Sequence, residues 1–157
     1  MISTHLSHYF SMKPTLGKIR LLIADDQPLI LRGMSMMLES EEDIEIVGLA
    51  NDGVEAVELA EELNPDVILM DLQMPRLTGV EATKKITLNN PDIKIVAITT
   101  FASDDLLSQA IKSGAQSYLL KDAAEEDVLT EIRKVQNAYS DGPSEVFNKN
   151  SDDLEIQ

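Results

Sequence analysis

The sequence contains no cysteine and no tryptophan, and aromatic residues make up only 4% of it. Without cysteine the chain cannot form disulfides, use a thiolate nucleophile or bind zinc through sulfur. Long apolar runs are also missing, since no stretch approaches the roughly 20 residues that a membrane-spanning helix needs. The opening MISTHLSHYFSMKP lacks the basic start and the continuous apolar core of a secretory signal. We therefore expect a cytoplasmic protein that does not bind membranes.

Basic residues are scarce, because 13 Lys and Arg stand against 28 Asp and Glu, which gives a net charge of −15. Binding to nucleic-acid phosphates needs clustered basic side chains. The chain offers only the pairs Lys84-Lys85 and Arg133-Lys134. We therefore expect no direct nucleic-acid binding by this chain. The acidity suits a hard divalent cation, although diffuse acidity commonly serves solubility alone.

Apolar and β-branched runs alternate along the chain with segments of helical periodicity. The predicted strands are 19–25, 44–50, 67–71, 93–100 and 117–121. The predicted helices are 29–40, 54–63, 79–88, 106–113 and 123–138. Apolar strands joined by helices indicate a parallel sheet that is covered on both faces. The predicted fold class is α/β, a doubly wound five-stranded sheet of order 2-1-3-4-5 in a flavodoxin-like three-layer sandwich.

A single domain from residue 19 to residue 138 accounts for this pattern. Residues 1–18 precede it and are predicted to be a flexible N-terminal extension. Residues 139–157 are polar and acidic, and are predicted to be a flexible C-terminal tail. The last helix has acidic residues in its first turn and Arg133-Lys134 towards its end, an order that the helix dipole favours.

Four of the five predicted strands end in polar residues. Strand one ends in Asp25-Asp26, strand three in Asp71, strand four in Thr99-Thr100 and strand five in Lys121. In open α/β sheets, ligands bind beyond the carboxyl ends of the strands where the winding reverses, here between strands one and three. Taken singly, Asp71 could form a turn, and Asp25 or Asp26 could cap the next helix. Their common position at one sheet edge favours a site instead.

Three carboxylates at one edge would repel each other unless a cation lies among them. An all-oxygen site without His or Cys is typical of Mg²⁺, Mn²⁺ or Ca²⁺, and Mg²⁺ with a phosphate oxygen fits best. Lys121 could reach an incoming phosphoryl group, and a threonine hydroxyl could donate to another of its oxygens. This arrangement predicts phosphoryl transfer to a carboxylate, with Asp71 as the nucleophile.

With these residues in place, the chain from about Ile19 to Ala138 resembles the receiver domain of two-component response regulators. The phrases ADDQPLILRGM, GVEAT and SYLLKDA look most like the NarL/FixJ class of transcription regulators. The resemblance implies that a sensor histidine kinase phosphorylates Asp71, and that the chain is a signalling domain that assists its own phosphorylation and dephosphorylation. The residues that it implies for Mg²⁺ are Asp26, Asp71, the backbone carbonyl of Gln73 and, through water, Asp25. Those that it implies for the phosphoryl group and the switch are Thr99, Lys121 and Tyr118, the last turning inward in the active state.

Two features depart from that family pattern. Receivers often have a cis Lys-Pro bond, whereas this chain has Lys121-Asp122, and a cis bond without proline would cost about 2.5–4 kcal/mol. The NarL/FixJ class continues into a helix-turn-helix domain, which nothing after Tyr139 supplies. The chain could therefore be part of a transcription regulator, or a stand-alone receiver acting in a phosphorelay or as an interaction module. We also hypothesise a homodimer.

Two other classes fit the residues less well. Phosphatases of the haloacid-dehalogenase class also use an aspartate nucleophile, but they need a second aspartate two positions later as general acid. Gln73 occupies that position here. A flavodoxin-like electron carrier needs a phosphate-binding loop after strand one. The carboxylates of Asp25 and Asp26 would repel a phosphate there.

Overall fold

The computed structural model describes residues 17–141, in which five strands alternate with five helices. The strands are β1 (Ile19–Ala24), β2 (Ile44–Ala50), β3 (Val67–Asp71), β4 (Lys94–Thr99) and β5 (Ser117–Leu120). The helices are α1 (Pro28–Glu39), α2 (Gly53–Leu63), α3 (Gly79–Asn89), α4 (Asp104–Ser113) and α5 (Glu125–Asp141). Every predicted element is present, and no boundary differs by more than two residues except the end of α5.

All five strands are parallel, and their order is β2-β1-β3-β4-β5, which confirms the predicted fold. The register places the carboxyl ends side by side: Ala24 pairs with Met70, and Asp71 pairs with Ile98. Thr99 in turn pairs with Leu120 on the edge strand β5. The chain thereby brings the segments that follow β1, β3, β4 and β5 to one edge of the sheet.

Alternation along the strands divides the core into two layers. One layer lies between the sheet and helices α2, α3 and α4, and its helix residues include Ala56, Ala60, Ala82, Ile86 and Ala110. The other lies between the sheet and helices α1 and α5, and its helix residues include Leu31, Leu38, Val128, Ile132 and Val135. Because both faces are covered, the central strand β3 is buried at all five positions, and its last buried residue is the carboxylate of Asp71.

Side-chain caps define the starts of three helices. The residues that cap α2, α3 and α4 are Asp52, Thr78 and Ser103, each accepting a backbone N–H from the first turn. Helix α1 differs, because its N-cap residue is Gln27 and no side chain caps it. The alternative in which Asp25 or Asp26 serves as the cap of α1 is therefore wrong.

Helix α5 continues to Asp141, three residues beyond the predicted end of the domain at 138. As a result Arg133 and Lys134 lie in the middle of α5, and its last turn contains no basic residue. The prediction that these residues complement the helix dipole is therefore wrong. Residues 1–16 and 142–157, which include most of both predicted flexible segments, lie outside the described residues. Among the helices within 17–141, none has the length and apolar character needed to cross a membrane.

Candidate functional site

Three aspartates meet at the carboxyl edge of the sheet. Asp25 directly follows β1, Asp26 is next to it, and Asp71 is the last residue of the neighbouring strand β3. One oxygen from each carboxylate lies within 4.8 Å of the others. Asp25 and Asp71 are 0% and 2% exposed, and Asp26 is the most accessible of the three. The cluster therefore has a buried base and an open side.

The turn after β3 fixes the position of Asp71. The backbone N–H of Gln73 donates to Asp71 Oδ1 at 3.2 Å, and the N–H of Gly79 donates to the Leu72 carbonyl at 3.0 Å. A Cβ on Gly79 would lie only 1.9 Å from the carbonyl oxygen of Asp71, so the close approach of α3 to the strand end requires glycine. Arg76 holds the outer part of this turn through a bond of its Nε to Asp52 Oδ2 at 3.0 Å.

Lys121 supplies the positive charge of the site from the end of β5. Its backbone N–H donates to the carbonyl of Thr99 at 2.9 Å, which anchors the residue to the neighbouring strand. Its side chain is only 9% exposed, and Nζ lies 3.0 Å from Asp25 Oδ2 and 3.2 Å from Asp71 Oδ2. Nζ also donates to Gln27 Oε1 at 2.8 Å. One ammonium group thus bridges two buried carboxylates and a neutral amide.

The surroundings shift the ionisation of both partners. Burial raises the pKa of Asp71 to about 6, and the charge of Asp25 adds to this effect, while the Gln73 N–H and the ammonium of Lys121 oppose it. Burial lowers the pKa of Lys121, but its contacts with Asp25 and Asp71 outweigh burial, so the net shift is upward. At neutral pH Asp71 is therefore an ionised carboxylate of unusual basicity beside a protonated lysine.

Thr99 and Tyr118 lie on the two strands next to the cluster. Thr99 is fully buried at the end of β4, and its hydroxyl donates to the Phe101 carbonyl at 3.1 Å. Tyr118 lies on β5 opposite Ala97 and is 38% exposed. The structure therefore brings Asp25, Asp26, Asp71 and Lys121 together, whereas the hydroxyl of Thr99 bonds its own loop and Tyr118 lies away from the strand end.

Two further details concern the predicted loops. No cis peptide bond occurs within residues 17–141, so the Lys121-Asp122 bond is trans. Gln27, which was not predicted to belong to the site, contacts Lys121 across 94 positions of sequence. A surface glutamine carries no periodicity or motif that would have pointed to this contact.

The chemistry of the acidic cluster indicates whether it could hold a divalent cation. All three side chains offer carboxylate oxygens, and the cluster contains neither His nor Cys. Such an all-oxygen donor set favours Mg²⁺ over zinc or copper. The raised pKa of Asp71 shows that the single ammonium group does not fully offset the burial of this carboxylate and the charge of Asp25. A divalent cation beside Asp26 would add the missing positive charge, so the residues present fit such an ion.

Comparison with known proteins agrees with this geometry. Residues 21–133 match the family model of the response regulator receiver domain. The transcriptional regulatory protein LiaR of Bacillus subtilis is 43% identical over 131 residues, which cover 83% of this chain and 62% of the relative. The uncharacterized transcriptional regulatory protein YxjL of the same organism is 44% identical over 116 residues, covering 74% of this chain and 53% of the relative. This chain spans between about half and three-fifths of the length of these relatives.

Solved structures show the same fold. The signal receiver domain of the putative response regulator NarL from Mycobacterium tuberculosis superposes with a TM-score of 0.74 at 27% identity, covering 77% of this chain and 98% of that one. The response regulator domain of Thermotoga maritima CheB gives a TM-score of 0.71 at 32% identity, covering 76% and 97%.

Proposed function

Because this chain belongs to the response regulator receiver domain family, in the lineage of transcription regulators, we propose that Asp71 accepts a phosphoryl group from a sensor histidine kinase. Receiver domains are signalling domains rather than classical enzymes, so the product of the reaction is the phosphorylated domain itself. The observation that carries the proposal is the position of Asp71. It is a carboxylate at the end of a fully buried strand, between a second buried acid and an ammonium group.

The local chemistry supports transfer to Asp71. Its raised pKa makes the carboxylate more basic, and therefore more nucleophilic, than an exposed aspartate, while it stays ionised above pH 6. A carboxylate oxygen bonds to phosphorus as the phosphorus–nitrogen bond of the phosphohistidine breaks, and the histidine leaves with that electron pair. Lys121 lies within reach of the new phosphoryl oxygens, where its charge offsets theirs. The chain thereby assists its own phosphorylation, and the same contacts bear on its dephosphorylation.

Mg²⁺ is the cofactor that we propose. Asp26, Asp71 and the backbone carbonyl of Gln73 would hold it, with Asp25 contributing through water. When bound, the ion would neutralise charge on the phosphoryl oxygens and on the acidic cluster. Asp25 keeps two contacts of its own that position the cluster, accepting the Gln27 N–H at 2.8 Å and pairing with Lys121.

The switch that we propose involves Thr99 and Tyr118. In the structure the Thr99 hydroxyl is bonded to Phe101, so it must exchange that partner to donate to a phosphoryl oxygen. Inward rotation of the half-exposed Tyr118 would accompany this change and alter the surface formed by α4, β5 and α5. The new contacts would be made in one conformer only, which is the condition for a ligand to shift a two-state equilibrium.

The output of the switch has two candidates. The relatives that match are transcriptional regulatory proteins. This favours a cytoplasmic receiver that controls transcription, with DNA contacted by protein segments other than these residues. The alternative is a phosphorelay or protein-interaction module without DNA output.

We propose that the phosphorylated chain forms a homodimer and does not itself bind nucleic acid. Light scattering with and without beryllofluoride tests the dimer, and a monomer under both conditions would contradict it.

The phosphorylation proposal is tested by intact-mass measurement after incubation with phosphoramidate and Mg²⁺. The wild-type chain should gain one phosphoryl group, and Asp71→Asn should gain none. Asp104→Asn, which makes the same change in the first turn of α4, should behave as the wild type does. A phosphoryl group on Asp71→Asn, or none on the wild type, would overturn the proposal.

A further inference from the structure

The side chain of Gln27 occupies a donor that the phosphoryl group would need. An ammonium group has three N–H donors. Nζ donates to Gln27 Oε1 at 2.8 Å and to Asp71 Oδ2 at 3.2 Å, while Asp25 Oδ2 lies 3.0 Å away as an ion-pair partner that accepts no hydrogen bond. Of these, the neutral amide makes the shortest contact. With three oxygens already within 3.2 Å of Nζ, a phosphoryl oxygen on Asp71 has to compete with them for the ammonium group.

Gln27 is the partner that can leave. Asp25 is fully buried, and its other oxygen is bonded to the backbone of Gln27. Asp71 is the acceptor of the phosphoryl group and cannot move away from it. Gln27 is exposed and carries no charge, so rotating its side chain into water costs little, whereas rotating a buried carboxylate would leave a charge unpaired.

The start of α1 gives a second, independent observation. Gln27 is the N-cap residue of α1, a position where Ser, Thr, Asp or Asn stabilises the helix by accepting a backbone N–H. The other loops that lead from the carboxyl edge into α2, α3 and α4 use Asp52, Thr78 and Ser103 in that way. The Gln27 side chain makes no such bond and is directed to Lys121 instead. Its contribution to helix stability is therefore small, and its contact with the lysine is its main one.

We propose that Gln27 is a positioning residue that holds Lys121 in the unphosphorylated state and competes with the phosphoryl group for its ammonium. The inference rests on the proposed function of Asp71 and Lys121. Gln27 acts through Lys121 and touches neither the donor nor phosphorus. Removing its acceptor leaves one lysine N–H free for the phosphoryl oxygen, which favours both phosphorylation and binding of a phosphoryl mimic.

The test replaces Gln27 with methionine, which has nearly the same length but no comparable acceptor. Gln27→Met keeps the backbone N–H that Asp25 accepts, so the acidic cluster stays in place. The control is Gln109→Met, an exposed glutamine of α4 bonded only to Asp105 one turn away. The probes are phosphoramidate with Mg²⁺ for the rate of phosphorylation, and beryllofluoride with Mg²⁺ for affinity.

Gln27→Met should be phosphorylated about three- to tenfold faster than wild type and should bind beryllofluoride more tightly by a similar factor, the value of a typical hydrogen bond. The ¹⁵N shift of the Lys121 ammonium, a readout that a change in helix stability would not move, should change in Gln27→Met and not in Gln109→Met. An unchanged or slower rate in Gln27→Met, with the wild type phosphorylated normally, would overturn the inference. If neither wild type nor Gln109→Met gains a phosphoryl group, the proposed function itself fails, whereas the ammonium shift still reports the contact.

Discussion

Two clusters in this protein each pair one basic side chain with two acidic ones, and the pKa values of their aspartates shift in opposite directions. At the carboxyl edge, Lys121 bridges Asp25 and Asp71, which are buried. On the side of the domain, Arg133 of α5 pairs with Glu41 and Asp43 in the loop between α1 and β2. Burial raises the pKa of Asp71, whereas the hydrogen bonds from Arg133 lower that of Asp43. In the first cluster folding disfavours the ionised form of Asp71, whereas in the second it favours the ionised form of Asp43.

Geometry and exposure explain the difference. The planar guanidinium of Arg133 makes two bonds to Asp43, from Nε and from a terminal nitrogen, each at 2.8 Å. Both side chains are about 40% exposed, so water still solvates the two charged groups. Lys121 presents one point charge to two dry carboxylates and an amide. The Arg133 cluster joins two parts of the fold, and the Lys121 cluster retains negative charge that a cation and a phosphoryl group can use.

The largest effect is expected from removing the cation at the site. Lys121→Met leaves Asp25 and Asp71 facing each other without a counter-charge, which should lower the free energy of unfolding by about 3 kcal/mol at pH 8. Millimolar Mg²⁺ should restore part of this loss. Urea unfolding with and without Mg²⁺ measures both effects. Lys112→Met, on the exposed side of α4, should change stability by less than about 0.5 kcal/mol.

A second prediction concerns the charge of Asp71. Its pKa rises from 3.8 to about 6 on folding, so the folded state favours the protonated form, and this carboxyl reduces stability as pH rises from about 4 through 6. Asp71→Asn should therefore stabilise the protein at pH 8 by up to about 2–3 kcal/mol, and by almost nothing at pH 4. Thermal unfolding across this range measures the difference. A destabilised Asp71→Asn at pH 8 without Mg²⁺ would contradict the account.

Asp43 should show the reverse profile. Its pKa is lowered on folding, so its stabilising contribution is present above pH 4 and is lost as pH falls below that value. Asp43→Asn should destabilise the protein at neutral pH by about 0.5–1 kcal/mol, because the pair is partly exposed. The same series of thermal unfolding experiments measures it. If Asp43→Asn and Asp71→Asn shifted stability in the same direction at pH 8, the contrast between the clusters would be wrong.

An effect of similar size is expected from Arg133→Met, which retains the aliphatic part of the side chain while removing its charge. The loss should be about 1 kcal/mol and should shrink in high salt, since the pair is open to solvent. Unfolding in urea at low and high salt measures it. A loss as large as that of Lys121→Met would mean that the Arg133 cluster is effectively buried.

The fold was predictable because apolar strands, helix breaks and turn residues all indicated the same alternation. Asp25, Asp71 and Lys121 each lie at the carboxyl end of a strand, so the strand order alone brings them together. The proximity of these residues is confirmed. The roles predicted for Thr99, Tyr118 and the backbone carbonyl of Gln73 stay predictions, since they concern phosphoryl and metal contacts.

Other features depended on contacts between distant parts of the chain. Arg133 lies towards the end of the helix predicted for residues 123–138, yet α5 continues to Asp141. Its partner Asp43 lies 90 positions away, and no local pattern relates the two. The bond between Gln27 and Lys121 is of the same kind. Periodicity predicts on which face of a helix or strand a residue lies, but not which polar group it contacts there.

The central claim is that Asp71 carries the phosphoryl group, and the most direct test is to locate that group chemically. Borohydride reduces an aspartyl phosphate to homoserine, which peptide mass spectrometry can place in the sequence. After incubation with phosphoramidate and Mg²⁺, conversion should occur at residue 71 and nowhere else. Conversion at Asp25 or Asp26, or a phosphorylated chain in which residue 71 stays aspartate, would contradict the account.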